Sequence, residues 1–149
     1  MNWVASLRGQ KVGLDTAPII YYIEKHSSYV DMLRSFFDSV TRGECSVVTS
    51  VMTLLETLVV PLREGNVDLA GQYRDILSNL KGLTTVSVSP YIAEEAARLR
   101  AFHNIRTPDA IQMATAISAG AVFFLTNDKS LPLLPNLQVL VLDDLKGNP

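Results

Sequence analysis

The sequence contains one cysteine, Cys45, and two histidines, His26 and His103. A lone thiol builds neither a disulfide framework nor a cysteine-based metal site within one chain. Aromatic residues make up 7% of the 149 residues and charged residues 19%, while 48% are hydrophobic. That balance excludes intrinsic disorder. The formal net charge is −2, so no broad basic surface marks a nonspecific nucleic-acid binder. It still permits an enzyme that holds RNA through a metal and a few arginines. No apolar run approaches the ~18 residues that span a bilayer. The longest, "AGAVFFL", reads as the approach to and body of a buried strand. The opening "MNWVASLRGQK" has no apolar core of a secretory signal. These absences lead us to expect a soluble, cytoplasmic protein with no membrane partner.

What is present is Leu, Val, Ala and Ile, which suits parallel strands covered by helices. A chain of this length buries roughly 68–70% of its unfolded surface, enough for a real core. "KVGLDT" (11–16) is a short apolar run ending in polar residues, and we read it as a strand. Two helical segments follow, "APIIYYIEKH", with Pro18 in its first turn, and "SYVDMLRSFFDSVTRG", ending at Gly43. "CSVVTS" (45–50) is a second strand, and Ser50 can cap the helix "VMTLLETLVVPLREG". In that helix Val51, Leu54, Leu55, Leu58, Val59 and Leu62 form an apolar stripe, which Pro61 is expected to kink or cut short. "VDLAGQYRDILSNLKG" reads as a helix, "LTTVSVS" as a third strand, and "PYIAEEAARLRAFH" as a helix with Ser89 as its cap. "TPDAIQMATAISAG" is a further helix, with Thr107 as the expected cap. "AVFFLTND" and "LQVLVL" are the fourth and fifth strands, and the tail "DDLKGNP" is expected to fray. Strands alternating with helices imply βαβ units with right-handed crossovers. The expected fold is α/β, a single three-layer α/β/α domain over 1–149 with a core at 11–142 and a mostly parallel sheet of about five strands.

In open α/β sheets, ligands bind beyond the carboxyl ends of the strands. Asp15 and Thr16 end the first strand in this reading, and Thr126, Asn127 and Asp128 end the fourth. Asp109 opens the helix before the fourth strand. It reaches the same edge only if that helix and the one before it form an antiparallel hairpin, which the sequence leaves open. Glu56 lies at the border of its helix's apolar stripe. Each acid also has an ordinary structural use. Asp15 suits a cap, Asp109 suits a helix dipole, Glu56 suits a surface and Asp128 suits a turn. Gathered at one edge, however, such carboxylates repel one another and raise their own pKa values. A divalent cation relieves that repulsion, and hard Mg²⁺ or Mn²⁺ prefers carboxylate oxygen and water.

Together "VGLDT", "SVMTLLE", "RTPDAIQMATA" and "FFLTNDKSL" resemble a PIN domain over residues 11–142, the pair "TPDAIQMATA" and "LTNDKSL" being the most specific part. The family's acidic quartet falls on Asp15, Glu56, Asp109 and Asp128. The resemblance implies a Mg²⁺- or Mn²⁺-dependent ribonuclease acting on RNA phosphodiesters. Many small members are VapC-type toxins of toxin–antitoxin pairs, which implies a homodimer and an antitoxin protein as partner. The segment before the first strand is longer here than in many short toxins. Thr16, Arg106, Asn127 and Lys129 are the expected substrate-side residues, with Arg98 and Arg100 as further phosphate contacts. Two other readings are a PIN-like fold serving as a non-catalytic binding or regulatory module, and a phosphoacceptor receiver domain. The receiver needs an acid pair beside its first strand, and this chain offers one acid there. His26 and His103 are expected at the surface, Cys45 in the core, and Trp3, Tyr21 and Tyr22 in core or rim packing.

Overall fold

The computed structural model describes residues 2–147. Five strands, β1 (Lys11–Leu14), β2 (Ser46–Ser50), β3 (Leu83–Val86), β4 (Phe123–Thr126) and β5 (Gln138–Val141), form one sheet in the order β3-β2-β1-β4-β5. Every pairing is parallel, with Val12 level with both Val47 and Phe123, and Leu14 level with Leu125. The chain builds outward from β1 in one direction, then returns to β1's other side to lay down β4 and β5. The gap between β1 and β4 is therefore the switch point, where open α/β sheets offer a crevice.

Among the described residues seven α-helices surround the sheet: α1 (Thr16–Ile23), α2 (Val30–Thr41), α3 (Val51–Glu64), α4 (Val67–Asn79), α5 (Pro90–Phe102), α6 (Thr107–Ser118) and α7 (Leu142–Leu145). Successive strand residues point to opposite faces. Val47 and Leu125 join Ile19, Leu33, Phe36, Phe37, Tyr73 and Leu77 of α1, α2 and α4 in one core. Val48 and Phe124 join Ile92, Ala96, Ala110, Met113 and Ala114 of α5 and α6 in the other. The result is three layers. Trp3 is buried against Phe36, their ring centroids 5.7 Å apart, and Cys45 is buried as well. No helix among the described residues is long and apolar enough to cross a membrane.

Helix α6 runs antiparallel to β1, and three ties along its length show this. Lys11 Nζ, at the start of β1, donates to the Ala119 carbonyl just past the end of α6 at 2.9 Å. Midway, a Cβ built on Gly13 would stand 2.4 Å from Ala116 Cβ and 3.0 Å from Phe124 Cδ1, so only glycine fits there. Beyond the end of β1, Gln112 Nε2 donates to Thr16 Oγ1 at 3.3 Å. The first turn of α6 therefore lies at the carboxyl edge of the sheet.

Several local expectations change. β1 stops at Leu14, because Asp15 caps α1 and Thr16 already belongs to it. β3 ends at Val86, and β4 spans only Phe123–Thr126, which leaves Asn127 and Asp128 in the turn beyond. Thr107 is the first residue of α6, not its cap; Arg106 holds the cap position without a side-chain bond. Pro61 lies inside α3, which continues to Glu64 and closes on Gly65 at φ 69°. The apolar stripe of α3 is split, with Leu54 and Leu58 half-buried against the core and the rest of its leucines turned outward. Thr53, Thr57 and Pro61 are its buried residues, while Leu55, Val59 and Leu62 are 59%, 42% and 58% exposed. Thr53 meets a polar layer beneath the helix, which a leucine would not, while the Thr57 hydroxyl donates back to the Thr53 carbonyl of its own helix at 2.8 Å. In the tail, Leu142–Leu145 forms a helical turn, held by Asn127 Oδ1 accepting from Asp143 N–H at 3.1 Å. Asn148 and Pro149 lie outside the described residues. His26 is exposed yet packs against the Tyr21 and Tyr29 rings, 4.9 and 4.8 Å between centroids.

Candidate active site

Asp15 stands where the backbone turns from β1 into α1. Its Oδ1 accepts from the Thr16 N–H at 2.9 Å, which satisfies an amide that the first helical turn leaves open. Its Oδ2 accepts from the Thr126 hydroxyl at the end of β4 at 2.7 Å. Asp15 thus bridges the two strands that flank the switch point. Its pKa is raised. Burial is the largest cause, the Thr126 and Thr16 hydrogen bonds oppose it, and the Asp109 and Glu56 charges add to it.

Glu56, on α3, is half-buried, and its Oε1 accepts from the Thr16 hydroxyl at 2.7 Å. One residue therefore serves two acids, its backbone N–H going to Asp15 and its hydroxyl to Glu56. Asp109 sits in the first turn of α6, where the helix dipole favours a negative charge. Its side chain is 13% exposed, and its Oδ2 accepts from Nε of the exposed Arg106 at 3.3 Å.

Asp128 follows β4 but is held differently. Its Oδ1 accepts from the Ser130 hydroxyl at 2.6 Å and the Ser130 N–H at 2.8 Å, and its own N–H donates to Thr126 Oγ1 at 3.1 Å. Its pKa is lowered, chiefly by the Ser130 side chain and then its backbone N–H, against a smaller rise from burial and with help from Arg106. Asn127 commits both ends of its amide inward: Nδ2 donates to Tyr29 Oη at 3.1 Å, and Oδ1 accepts from Asp143 N–H. Lys129 makes an exposed ion pair with Asp144 at 3.5 Å. Arg98 pairs with Glu95, and Arg100 donates to the Ile105 carbonyl that shapes the link before α6.

Sequence reasoning passed over the layer beneath the acids. Thr49, Thr53 and Gln112 are buried and joined by hydrogen bonds that reach Thr16. The available signal was the run Thr49, Thr53, Thr57, four residues apart, together with one glutamine in the otherwise apolar "AIQMATA". Thr53 and Thr57 at that spacing share one face of α3, and Thr49 lies on β2 just before it.

The donors at this edge are oxygens. Cys45 lies at the opposite end of β2, and His26 stacks on tyrosines. Neither Asp15 nor Glu56 makes an ion pair among the described residues. Hard oxygen donors that repel one another without a cationic partner fit Mg²⁺ or Mn²⁺ in chemistry. Among the described residues, no three acid, histidine or cysteine side chains converge closely enough to ligate one ion.

Comparison with known proteins adds the family. A family model described as PIN domain matches residues 12–137. No curated protein matches the chain. Among solved structures, VapBC2 from Rickettsia felis bound to a promoter DNA fragment aligns at TM-score 0.66 and 21% identity, covering 88% of this chain and 98% of that one. A toxin–antitoxin complex from Klebsiella pneumoniae aligns at 0.63 and 20%, covering 85% and 94%. VapC20 from Mycobacterium tuberculosis, a sarcin-ricin loop cleaving toxin, aligns at 0.62 and 17%, covering 76% and 86%. At these identities the likeness is one of fold.

Proposed function

This chain belongs to the PIN domain family, and from that premise we propose that it is a divalent-metal-dependent ribonuclease, the cytoplasmic toxin of a toxin–antitoxin pair. PIN domains are typically nucleases that use divalent metals. One observation carries the reading. Asp15 and Glu56 share the single residue Thr16 at the switch point, and Asp109 opens the helix that packs over them.

In this reading Asp15, Glu56 and Asp109 would be drawn together as ligands on binding Mg²⁺ or Mn²⁺, with Asp128 in support across Thr126. When bound, the ion lowers the pKa of a coordinated water and neutralises charge on the scissile phosphate. The chain's own groups do the rest. Thr16 fixes Asp15 and Glu56 relative to each other. Arg106 places a cation at the rim, where it meets an RNA phosphate while steadying Asp109. Lys129 offers a second exposed cation. Asn127 acts one step back, holding the turn that carries Asp128.

The exposed apolar residues of α3, Leu55, Val59 and Leu62, support pairing of two copies or cover by an antitoxin. Light scattering across a concentration series tests the homodimer. A monomer at every concentration would count against it.

The decisive experiment measures cleavage of a structured RNA with Mg²⁺ or Mn²⁺, beside Asp15→Asn and Asp109→Asn. Loss of cleavage in both variants, with folding retained, is the expected result. Wild-type rates in both would overturn the mechanism.

A second reading, the non-catalytic binding or regulatory module, draws on the Arg106–Asp109 pair and on the lack of three converged ligands among the described residues. It expects no stabilisation by Mn²⁺ in a thermal titration, whereas the nuclease expects a rise in Tm with metal concentration.

A further inference from the structure

Gln112 is 2% exposed, in a helix whose other inward residues are Ala, Met and Thr. Burying an amide is costly unless each of its polar atoms is partnered, and here each is. Its Oε1 accepts from Ser50 N–H at 3.4 Å. A backbone N–H can only donate, so the amide oxygen must face β2 and the NH₂ must face the hydroxyls. That NH₂ carries two hydrogens, and it has two acceptors. Thr53 Oγ1 lies at 2.7 Å and Thr16 Oγ1 at 3.3 Å.

The remaining hydrogens then fall into one favoured arrangement. Thr49 donates its single hydroxyl hydrogen to the Leu14 carbonyl at 2.8 Å. Thr49 can therefore only accept from Thr53, 2.7 Å away. Thr53 has spent its hydrogen on Thr49 and accepts from Gln112. Thr16, also accepting from Gln112, is left to donate outward, and the carboxylate oxygen of Glu56 stands 2.7 Å away. Thr53 Oγ1, the other acceptor within reach of the Thr16 hydrogen, is farther at 3.3 Å and uncharged, so the carboxylate takes it. Among the described residues no buried side-chain nitrogen or oxygen lacks a partner.

We propose that Gln112 is a positioning residue: its amide fixes the direction of a chain of hydroxyls so that Thr16 always presents a hydrogen to Glu56, which holds that carboxylate in place beside Asp15. The amide joins four elements, α6 to β2, α3 and α1, so it also sets their spacing at the carboxyl edge. The inference rests on the metal reading for its consequence, but the hydrogen-bond polarity stands without it.

The test uses Gln112→Met, which keeps length and volume and removes every donor. In a crystal structure of the metal-free variant, the Thr16–Glu56 hydrogen bond should be broken and the Glu56 side chain displaced. By calorimetry, Mn²⁺ affinity should fall about tenfold, the scale for losing a group that orients a ligand. Thr16→Val should weaken Mn²⁺ equally, Thr16→Ser should restore parental affinity, and the double variant Gln112→Met/Thr16→Val should be no weaker than Thr16→Val alone, since both remove one interaction. The Thr16 pair carries the test should Gln112→Met fail to fold. A Gln112→Met protein that lowers Tm but keeps the Glu56 contact and parental affinity has lost packing only, and the proposal falls. A parent that binds no Mn²⁺ overturns the nuclease reading instead, and the metal-free structure still judges the role of Gln112.

Discussion

Asp15 and Asp128 make an instructive pair. Each follows the carboxyl end of a strand, the two strands are neighbours, and one hydroxyl, that of Thr126, touches both residues. Yet their acidities move in opposite directions. Asp15 is drawn into the protein and faces two other acids, so its pKa rises, burial being the main cause. Asp128 stays nearer the solvent with Ser130 folded onto it, so its pKa falls. The position at a strand end is the same, but the number of hydrogens offered, the depth of burial and the neighbouring charge are not. Asp15 resembles a group held at some cost for use, Asp128 a group that stabilises its own turn.

The sharpest way to break this comparison is cleavage. Asp15→Asn should reduce metal-dependent RNA hydrolysis at least about 100-fold, the scale for removing a group that stabilises the transition state. Asp128→Asn should reduce it less than about tenfold, because its oxygen serves the turn. Equal losses in a single-turnover assay would show that the two acids do the same work.

Next comes the hydroxyl they share. Thr126→Val leaves the buried Asp15 Oδ2 without its donor, and chemical denaturation should show a loss of about 1–3 kcal/mol. A neutral result would mean that Asp15 finds another partner.

Stability against pH is the third and smaller effect, and its sign differs between the two acids. A raised native pKa means that the folded protein binds the Asp15 proton more tightly than the unfolded chain does. Stability then falls as pH rises from the unfolded pKa through the native one, and the deficit persists at neutral pH. Asp15→Asn should therefore be more stable than the parent at pH 7, with the gap closing in acid. For Asp128 the native pKa is lowered, so its contribution is present above the unfolded value and lost as pH falls through the native one. Asp128→Asn should be less stable than the parent at pH 7, again converging in acid. Denaturation curves at several pH values check both, and two variants shifted in the same direction would undo the contrast.

The smallest effect is expected at Lys129, whose partner Asp144 is as exposed as it is. Lys129→Ala should change stability by less than about 1 kcal/mol. Any loss of RNA affinity should shrink as salt is raised.

Much of this was legible in the residues. The alternation of apolar runs gave the parallel sheet; Asp15 and Asp128 stood out as carboxylates beside strand ends, whereas Glu56 and Asp109, on helices, joined them only through the resemblance to PIN domains. The polar layer was not legible, since a glutamine or threonine means little until its neighbours in space are known. Helix α3 shows the limit from the other side. Its leucines and valines traced a helical period, but the period says only that a face exists, not which way it turns. Thr53 turns inward to the Thr49 and Gln112 side chains, and Thr57, one turn on, follows it with its hydroxyl returned to the helix backbone. Asp109's place was undecidable for a similar reason, since the direction of α6 depends on contacts as remote in sequence as Lys11 with Ala119.

Gly13 deserves a last consequence. With no side chain it lets α6 press onto β1 at Ala116, and the helix so seated carries both Asp109 and Gln112. A single added methyl group at position 13 would act as a shim. It would lift the helix by a fraction of its diameter and widen the gap across the acids without altering any of them, so Gly13→Ala should behave in metal titrations as though a distant ligand had been removed.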